Sequence, residues 1–269
     1  MIRVSIYHNN THHSLEIKEK LNYLLNKKNI EINDNNPNVI ITIGGDGTVL
    51  GAFHHYENKI NSLKFIGVHT GHLGFYTDWH DYELDILVDK LINEIPSIVY
   101  YPLLKGIITY TNNVQESFLA LNESSLKRLL ETLRTDVYIS GNFFERFRGD
   151  GLCISTPTGS TAYNKSIGGA VVHPCLKVMQ MAEIASINNL IYRTLSAPIV
   201  LAPNDYIDLR PEVANDYVLT MDEFSTSNRS IKNIHYEISN QSICFLRYRN
   251  HNFWDRVEGA FIGLKDGKK

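Results

Sequence analysis

Over the first hundred residues, short apolar runs alternate with stretches of helical spacing. Residues 2–7 and 64–68 read as strands, and Val39–Ile43 is a third, made entirely of β-branched residues. Residues 13–26 carry Ile17, Leu21, Leu24 and Leu25 at helical spacing, with Ser14 as the predicted N-cap. Residues 49–56 and the span "DWHDYELDILVDKLINE" read as two further helices. The Asn-rich stretch 31–38 reads as a turn or loop. Uninterrupted apolar strands separated by helices predict a parallel sheet covered on both faces.

After Pro102 the texture changes. "LLKGIITYT", "SFLALNE", "TDVYIS", "NFFERF" and "GLCIST" are short strands divided by turn-prone residues, and "DYVLTMD", "IHYEIS" and "SICFLRYR" continue the series. That succession predicts a β-rich, sandwich-like second domain, interrupted by one helix near residues 176–187. "NFWDRVEGAFIG" places Trp254, Val257 and Phe261 on one helical face, a helix expected to dock on a neighbouring domain.

Composition narrows the class. A chain of 269 residues with 43% hydrophobic and 20% charged residues is long enough for two modest domains or one large one, with a sizeable core. A net charge of −3 provides no basic excess for neutralising phosphates, so no nucleic-acid partner is expected. No apolar run approaches bilayer length, so no membrane partner is expected either. The first residues, MIRVSIYHNN, lack the layout of a signal peptide. Cys153, Cys175 and Cys244 are too few and too scattered for a disulfide framework or a zinc site. The expectation is a soluble, reduced, cytoplasmic protein.

Candidate chemistry concentrates in two places. Val39–Ile43 runs into Gly44, Gly45, Asp46, Gly47 and Thr48 before a helical stretch. Glycines at a strand-to-helix bend leave backbone N–H groups free at the positive end of a helix, a phosphate cradle. Asp46 is what a plain anion site would not want. It either accepts a proton from an attacking hydroxyl or helps hold a metal ion, or it merely caps the helix in a tight turn. The second place is "FRGDGLCISTPTGSTAYNKSIGGAVVHP", where Ser155, Thr156, Thr158, Ser160, Thr161 and Ser166 interleave with glycines. Such a loop can bind ribose hydroxyls and phosphates. His54, His55, His69, His72 and His80 do not form a helical i, i+4 ligand pair, so no metal site is expected from them. Phe75 and Tyr76 fit an aromatic wall over a nucleotide or an interdomain core.

"GGDGT" at 44–48, "LNES" at 121–124, "VHTGHLGFYTDW", and "GDGLCISTPTGSTAYNKSIGG" followed by "HP" at 173–174 together resemble the NAD kinase family over nearly the whole chain. "FERFRGDGLC" and "MAEIASINN" are most similar to those of low-GC Gram-positive bacteria. The resemblance implies phosphorylation of the 2′-hydroxyl of the adenosine ribose of NAD, producing NADP. It implies Asp46 as proton acceptor, with Gly47 and Phe75 beside the substrate and Gly44, Gly45, Gly47 and Thr48 as the phosphate loop. Asn122 and Glu123 match the family's Asn–Glu pair that contacts NAD. Thr161, Ala162, Tyr163, Asn164, Lys165 and Ser166 match its dinucleotide-binding loop, and Arg148, Asp150 and Ala185 match positions that complete the pocket, partly across a subunit interface.

The implied fold is an α/β domain with a Rossmann-like parallel sheet, residues 1–100 with 248–269, and a β-rich NAD-binding domain, residues 101–247. The implied partners are NAD, ATP or polyphosphate as phosphate donor, a divalent metal ion such as Mg²⁺, and further copies of the chain in a dimer or tetramer. Asp222 matches a family aspartate at the donor site, but Glu223 adds a second carboxylate. Close to phosphates it is repulsive unless a cation intervenes, so donor choice or affinity is expected to differ. A lipid kinase with the same glycine–aspartate loop would need an apolar cleft, which the polar "TAYNKS" speaks against. A dinucleotide sensor without chemistry would not need both Asp46 and Glu123 intact.

Overall fold

The computed structural model describes residues 2–71, 73–227, 230–250 and 252–263; His72, one of the histidines considered above, lies outside them. The elements begin with β1 (Arg3–His8), α1 (His12–Lys27), β2 (Glu31–Ile32), β3 (Val39–Ile43), α2 (Asp46–His55), β4 (Lys64–His69), β5 (Trp79–His80) and α3 (Leu84–Asn93). There follow β6 (Ser97–Tyr110), β7 (Gln115–Ala120), β8 (Glu123–Arg128), β9 (Leu133–Ile139), β10 (Asn142–Gly149), β11 (Gly151–Ser155) and the single turn α4 (Tyr163–Ser166). The chain ends with β12 (Met179–Ile184), β13 (Ile199–Leu201), β14 (Tyr206–Pro211), β15 (Tyr217–Met221), β16 (Phe224–Ser227), β17 (Ile231–Arg247) and α5 (Phe253–Phe261). It divides into two compact units, residues 1–100 with 242–269 and residues 101–241, and the second division falls inside β17.

The first unit is built on parallel pairing. Strands run in the order β2-β1-β3-β4, and β4 also pairs with β5 and, at Phe65, with Phe245 of β17. Val39, Ile41 and Ile43 join Leu21 and Leu25 of α1 and Leu84, Leu87 and Leu91 of α3 in one core. Ile40 and Thr42, on the opposite face of the strand, are equally buried. Covering both faces is what an all-apolar strand requires.

Several boundaries differ from the sequence reading. Thr11, not Ser14, caps α1: its hydroxyl accepts from the Ser14 N–H at 3.2 Å, and Ser14 lies buried in the first turn. Helix α2 starts at Asp46, three residues earlier than expected, with Gly45 as its N-cap. Residues 79–80 extend the sheet as β5 before α3 begins at Leu84, and Glu31–Ile32 pair with β1, so the Asn-rich stretch is not wholly loop.

The second unit packs two sheets around one core. The strands β13-β12-β11-β8-β15-β16 form an antiparallel sheet, and β10, β9, β14 and β17 pair antiparallel in a second, to which β6 and β7 add. Leu126, Leu152, Met179 and Leu219 from the first meet Val137, Phe147, Ile207 and Tyr236 from the second. Each such side chain stabilises the fold by about 1.5–3 kcal/mol through loss of apolar contact with water. The helix expected near residues 176–187 is instead the strand β12, held between β11 and β13. Its Gln180 is buried, and its amide exchanges two hydrogen bonds with the backbone of Ala170 at 2.8 and 3.0 Å. "IHYEIS" and "SICFLR" of the next predicted strand lie in the single long strand β17, which ends at Arg247.

Candidate active site

In the first unit the bend after β3 carries the GGDGT residues. Gly44 has φ +150°, where a side chain would collide with Thr48. Gly45 and Gly47 are exposed, with open space above them, and no side chain caps α2. The main chain at the positive end of α2 therefore faces outward, the arrangement an anion needs. Asp46 is the first residue of α2, and its carboxylate does not cap that helix. Its oxygens accept from the backbone N–H groups of Phe75 at 2.7 Å and Tyr76 at 3.0 Å. Gly74 lies so close that a Cβ there would strike both carboxylate oxygens. The Phe75 ring faces α5, 5.9 Å from the Phe261 ring and 6.1 Å from the Phe253 ring. Tyr76 is buried and stacks on Phe245.

Helix α5 packs by Phe253, Arg256 and Phe261, whereas Trp254, expected on the docking face, is 51% exposed. Its contacts with residues 74–78 lie within the first unit.

In the second unit the Asn–Glu pair sits at a bend held from two sides. Asp222, at φ +51°, accepts from the N–H groups of Leu121 at 2.8 Å, Asn122 at 2.7 Å and Glu123 at 3.1 Å. Thr156 Oγ1 donates to the carbonyl of Leu121 at 2.6 Å, and Thr158 Oγ1 donates to the same carbonyl at 2.9 Å. The Asp222 carboxylate thus shapes the backbone that presents Asn122 and Glu123, while its neighbour Glu223 is exposed. Glu123 is 9% exposed, and burial, reinforced by the negative charge of Asp222, pushes its carboxyl up to about 8. Its Oε2, like both amide atoms of Asn164, is buried without a hydrogen-bond partner among the described residues. Buried polar atoms of that kind are costly unless something satisfies them.

Within the hydroxyl-rich loop, the Ser160 and Thr161 hydroxyls are turned inward. Ser160 donates to the Pro157 carbonyl and Thr161 to the Thr158 carbonyl, so these hydroxyls brace the loop instead of lining a surface. Beyond them, Ala162, Tyr163, Lys165 and Ser166 of the short turn are at least partly exposed, and Asn164 is buried. Lys127 of β8, which the sequence did not single out, donates to the Tyr163 hydroxyl at 2.5 Å and orients that ring.

Arg148, Asp150 and Ala185 form a separate cluster. The Ile187 N–H donates to the Arg148 carbonyl at 2.7 Å, and the Asp150 N–H donates to the Ile184 carbonyl at 2.9 Å. This cluster precedes β11 while Thr156 follows it, and five residues of strand span about 17 Å. Among the described residues there is no group of three or more His, Cys, Asp or Glu side chains able to hold a metal.

Beside that cluster, Glu145 accepts from the Leu195 N–H at 3.0 Å, and Glu183 accepts from Ser196 N and Thr194 Oγ1. Burial pushes the Glu145 carboxyl up from 4.5 to about 7, the Leu195 hydrogen bond opposing and the Glu183 charge assisting. Between those two values the unfolded chain has lost a proton that the folded chain retains, so stability falls as pH rises through that window. Glu145→Gln is expected to remove that slope. The unfolding free energy of the variant relative to wild type is expected to rise from pH 5 to pH 7.5, by on the order of 3 kcal/mol at most, read from melting curves at each pH. A gain that does not change with pH contradicts the assignment.

Residues 5–95 match the ATP-NAD kinase N-terminal domain and residues 120–240 the ATP-NAD kinase C-terminal domain. An NAD kinase of Lacticaseibacillus paracasei is 54% identical over 264 residues, 98% of this chain and 100% of that one. One from Lactobacillus johnsonii is 52% identical over 270 residues, covering 100% of both chains. Among solved structures, yeast NADH kinase complexed with NADH superposes with a TM-score of 0.84 at 20% identity, over 100% of this chain and 89% of that one. An NAD kinase from Archaeoglobus fulgidus in complex with ATP gives 0.75 at 22% identity, over 96% and 98%. At those identities the two structures speak to the fold.

Proposed function

This chain belongs to the NAD kinase family, and from that premise we propose that it transfers the γ-phosphoryl group of ATP to the 2′-hydroxyl of the adenosine ribose of NAD, producing NADP and ADP. The observation that carries the reading is Asp46, a carboxylate oriented by two backbone amides at the exposed, positive end of a helix. Each of its oxygens keeps a second lone pair for a further donor. The ribose oxygen attacks the γ-phosphorus, the bond from that phosphorus to the β,γ-bridging oxygen breaks, and the hydroxyl proton passes to Asp46. A positioned base contributes about a hundredfold to ten-thousandfold, and positioning with charge stabilisation the larger share. The main chain of Gly45 and Gly47 approaches the phosphates, with Gly44 and Thr48 shaping the bend. A divalent ion would come with the donor, held chiefly by its phosphate oxygens and water, and would neutralise charge on the transferred group.

Asn122 and Glu123 contact the dinucleotide, with the Thr161–Ser166 turn supplying Ala162, Tyr163, Asn164 and Lys165. The buried, unsatisfied Glu123 and Asn164 atoms support this. Arg148, Asp150 and Ala185 complete the pocket of a neighbouring subunit in a homo-oligomer, a reading that rests on the family resemblance and is supported by their lying a strand's length from the Thr156 end of β11. Exposed Phe143, Phe144, Leu190 and Ile191 provide an apolar surface for that association. Asp222 serves the donor site through the backbone it holds, with Glu223 bearing on the donor's charge. No described helix is long and apolar enough to cross a membrane, and three free cysteines suit the reducing cytoplasm.

The test mixes purified protein with NAD, ATP and Mg²⁺ and couples product to a strictly NADP-dependent dehydrogenase. NADP formation is the expected result; binding of NAD without turnover identifies a sensor and overturns the reading.

A further inference from the structure

We infer that Arg256 is a positioning residue for the Asp46 carboxylate, an inference resting on the reading of Asp46 as the base. The two residues are separated by most of the chain, yet one loop connects them. Arg256 lies on α5 with its side chain 8% exposed. Its guanidinium donates to the carbonyls of Gly74 at 2.6 Å and Thr77 at 2.7 Å and pairs with the Asp78 carboxylate. Those three acceptors bracket Phe75 and Tyr76, whose N–H groups grip Asp46. A planar fork of five donors reaches all three at once, which a lysine ammonium on a flexible stem cannot do.

The same loop is tied elsewhere. The Asp78 N–H donates to the Gly67 carbonyl at 3.0 Å, and Arg247 pairs with the Asp78 carboxylate at 2.5 Å. Asp78 is 3% exposed between two guanidinium groups, so removing Arg256 leaves it paired with Arg247. That spares the protein the uncompensated buried charge that unfolds many such variants. The loss falls on Gly74 and Thr77, whose carbonyls set the angle of the intervening amides. Displacing a reacting group by about 1 Å lowers rate by about a hundredfold.

The experiment is a double-mutant cycle in the coupled assay, with melting temperatures recorded for every variant. Arg256→Ala is expected to lower kcat by about tenfold to a hundredfold with KM for NAD changed less than about threefold, and Arg256→Lys to fall between it and wild type. In the Asp46→Asn background, Arg256→Ala is expected to change the remaining rate by less than about twofold, because no base is left to position. Trp254→Ala, an exposed change on the same helix, is expected to keep wild-type kcat. Wild-type kcat in folded Arg256→Ala overturns the inference, as does an equal fold-loss in both backgrounds or an equal loss in Trp254→Ala. If Arg256→Ala fails to fold, Arg256→Lys carries the same cycle and the same criteria. Full activity of Asp46→Asn alone overturns the base role instead, so the two failures are distinguishable.

Discussion

Asp46→Asn is expected to lower kcat for NADP formation by about a hundredfold or more while NAD still binds with near wild-type affinity. The substitution is nearly isosteric, so the bend at the start of α2 and its exposed amides persist. Two things change. The carboxamide cannot take the proton of the ribose hydroxyl. One of its two terminal atoms is also now a donor, whereas both faced backbone N–H groups of Phe75 and Tyr76. One of those hydrogen bonds is lost, at a cost of about 1–3 kcal/mol of local stability. Calorimetric titration with NAD alongside the coupled assay separates the effects: affinity within a few-fold, turnover reduced by two orders of magnitude. Turnover close to wild type removes Asp46 from proton transfer.

Gly74→Ala is the second large effect. A methyl group at this position lies against both oxygens of the Asp46 carboxylate, so either the carboxylate turns away or the loop retreats. Either movement separates the base from the amides that orient it. We expect kcat to fall by about tenfold to a hundredfold, from misplacement alone. Stability is expected to drop by about 1–3 kcal/mol, as for an added methyl group in a packed site. An exposed glycine provides the comparison: at Gly259 of α5 nothing lies within 4 Å of an added Cβ, and Gly259→Ala should leave kcat unchanged. Wild-type kcat in Gly74→Ala shows that the carboxylate tolerates displacement and that its present orientation does not matter to the rate.

Much of the first unit was legible because local pattern and tertiary role agree there. Val39–Ile43 reads as a buried strand and is one, and the glycine–aspartate bend follows it directly. β12 departs from its local pattern for the opposite reason. "MQMAEI" is rich in good helix formers, and its pairing with β11 and β13 overrides that preference. On α5, Phe253, Arg256, Val257 and Phe261 have helical spacing no worse than Trp254, Val257 and Phe261, so periodicity alone does not select the packed face. The hydroxyl density of residues 155–161 signalled an unusual loop, but not that the hydroxyls would turn toward the carbonyls of Leu121 and Pro157. Lys127 and Arg256 carried no local signal, since their significance arises from partners 36 and 182 residues away. Asp222 was legible as a candidate but not as the clamp on residues 121–123, which depends on its left-handed backbone.

If Asp46 is the base, its carboxylate meets the 2′-oxygen of the adenosine ribose. The most direct measurement is the distance between them in a crystal structure of this protein with NAD and a non-transferable ATP analogue. The expected separation is hydrogen-bond reach, about 2.6–3.2 Å, or one bridging water. A ribose oxygen well beyond that range, with Asp46 facing only the amides of Phe75 and Tyr76, contradicts it.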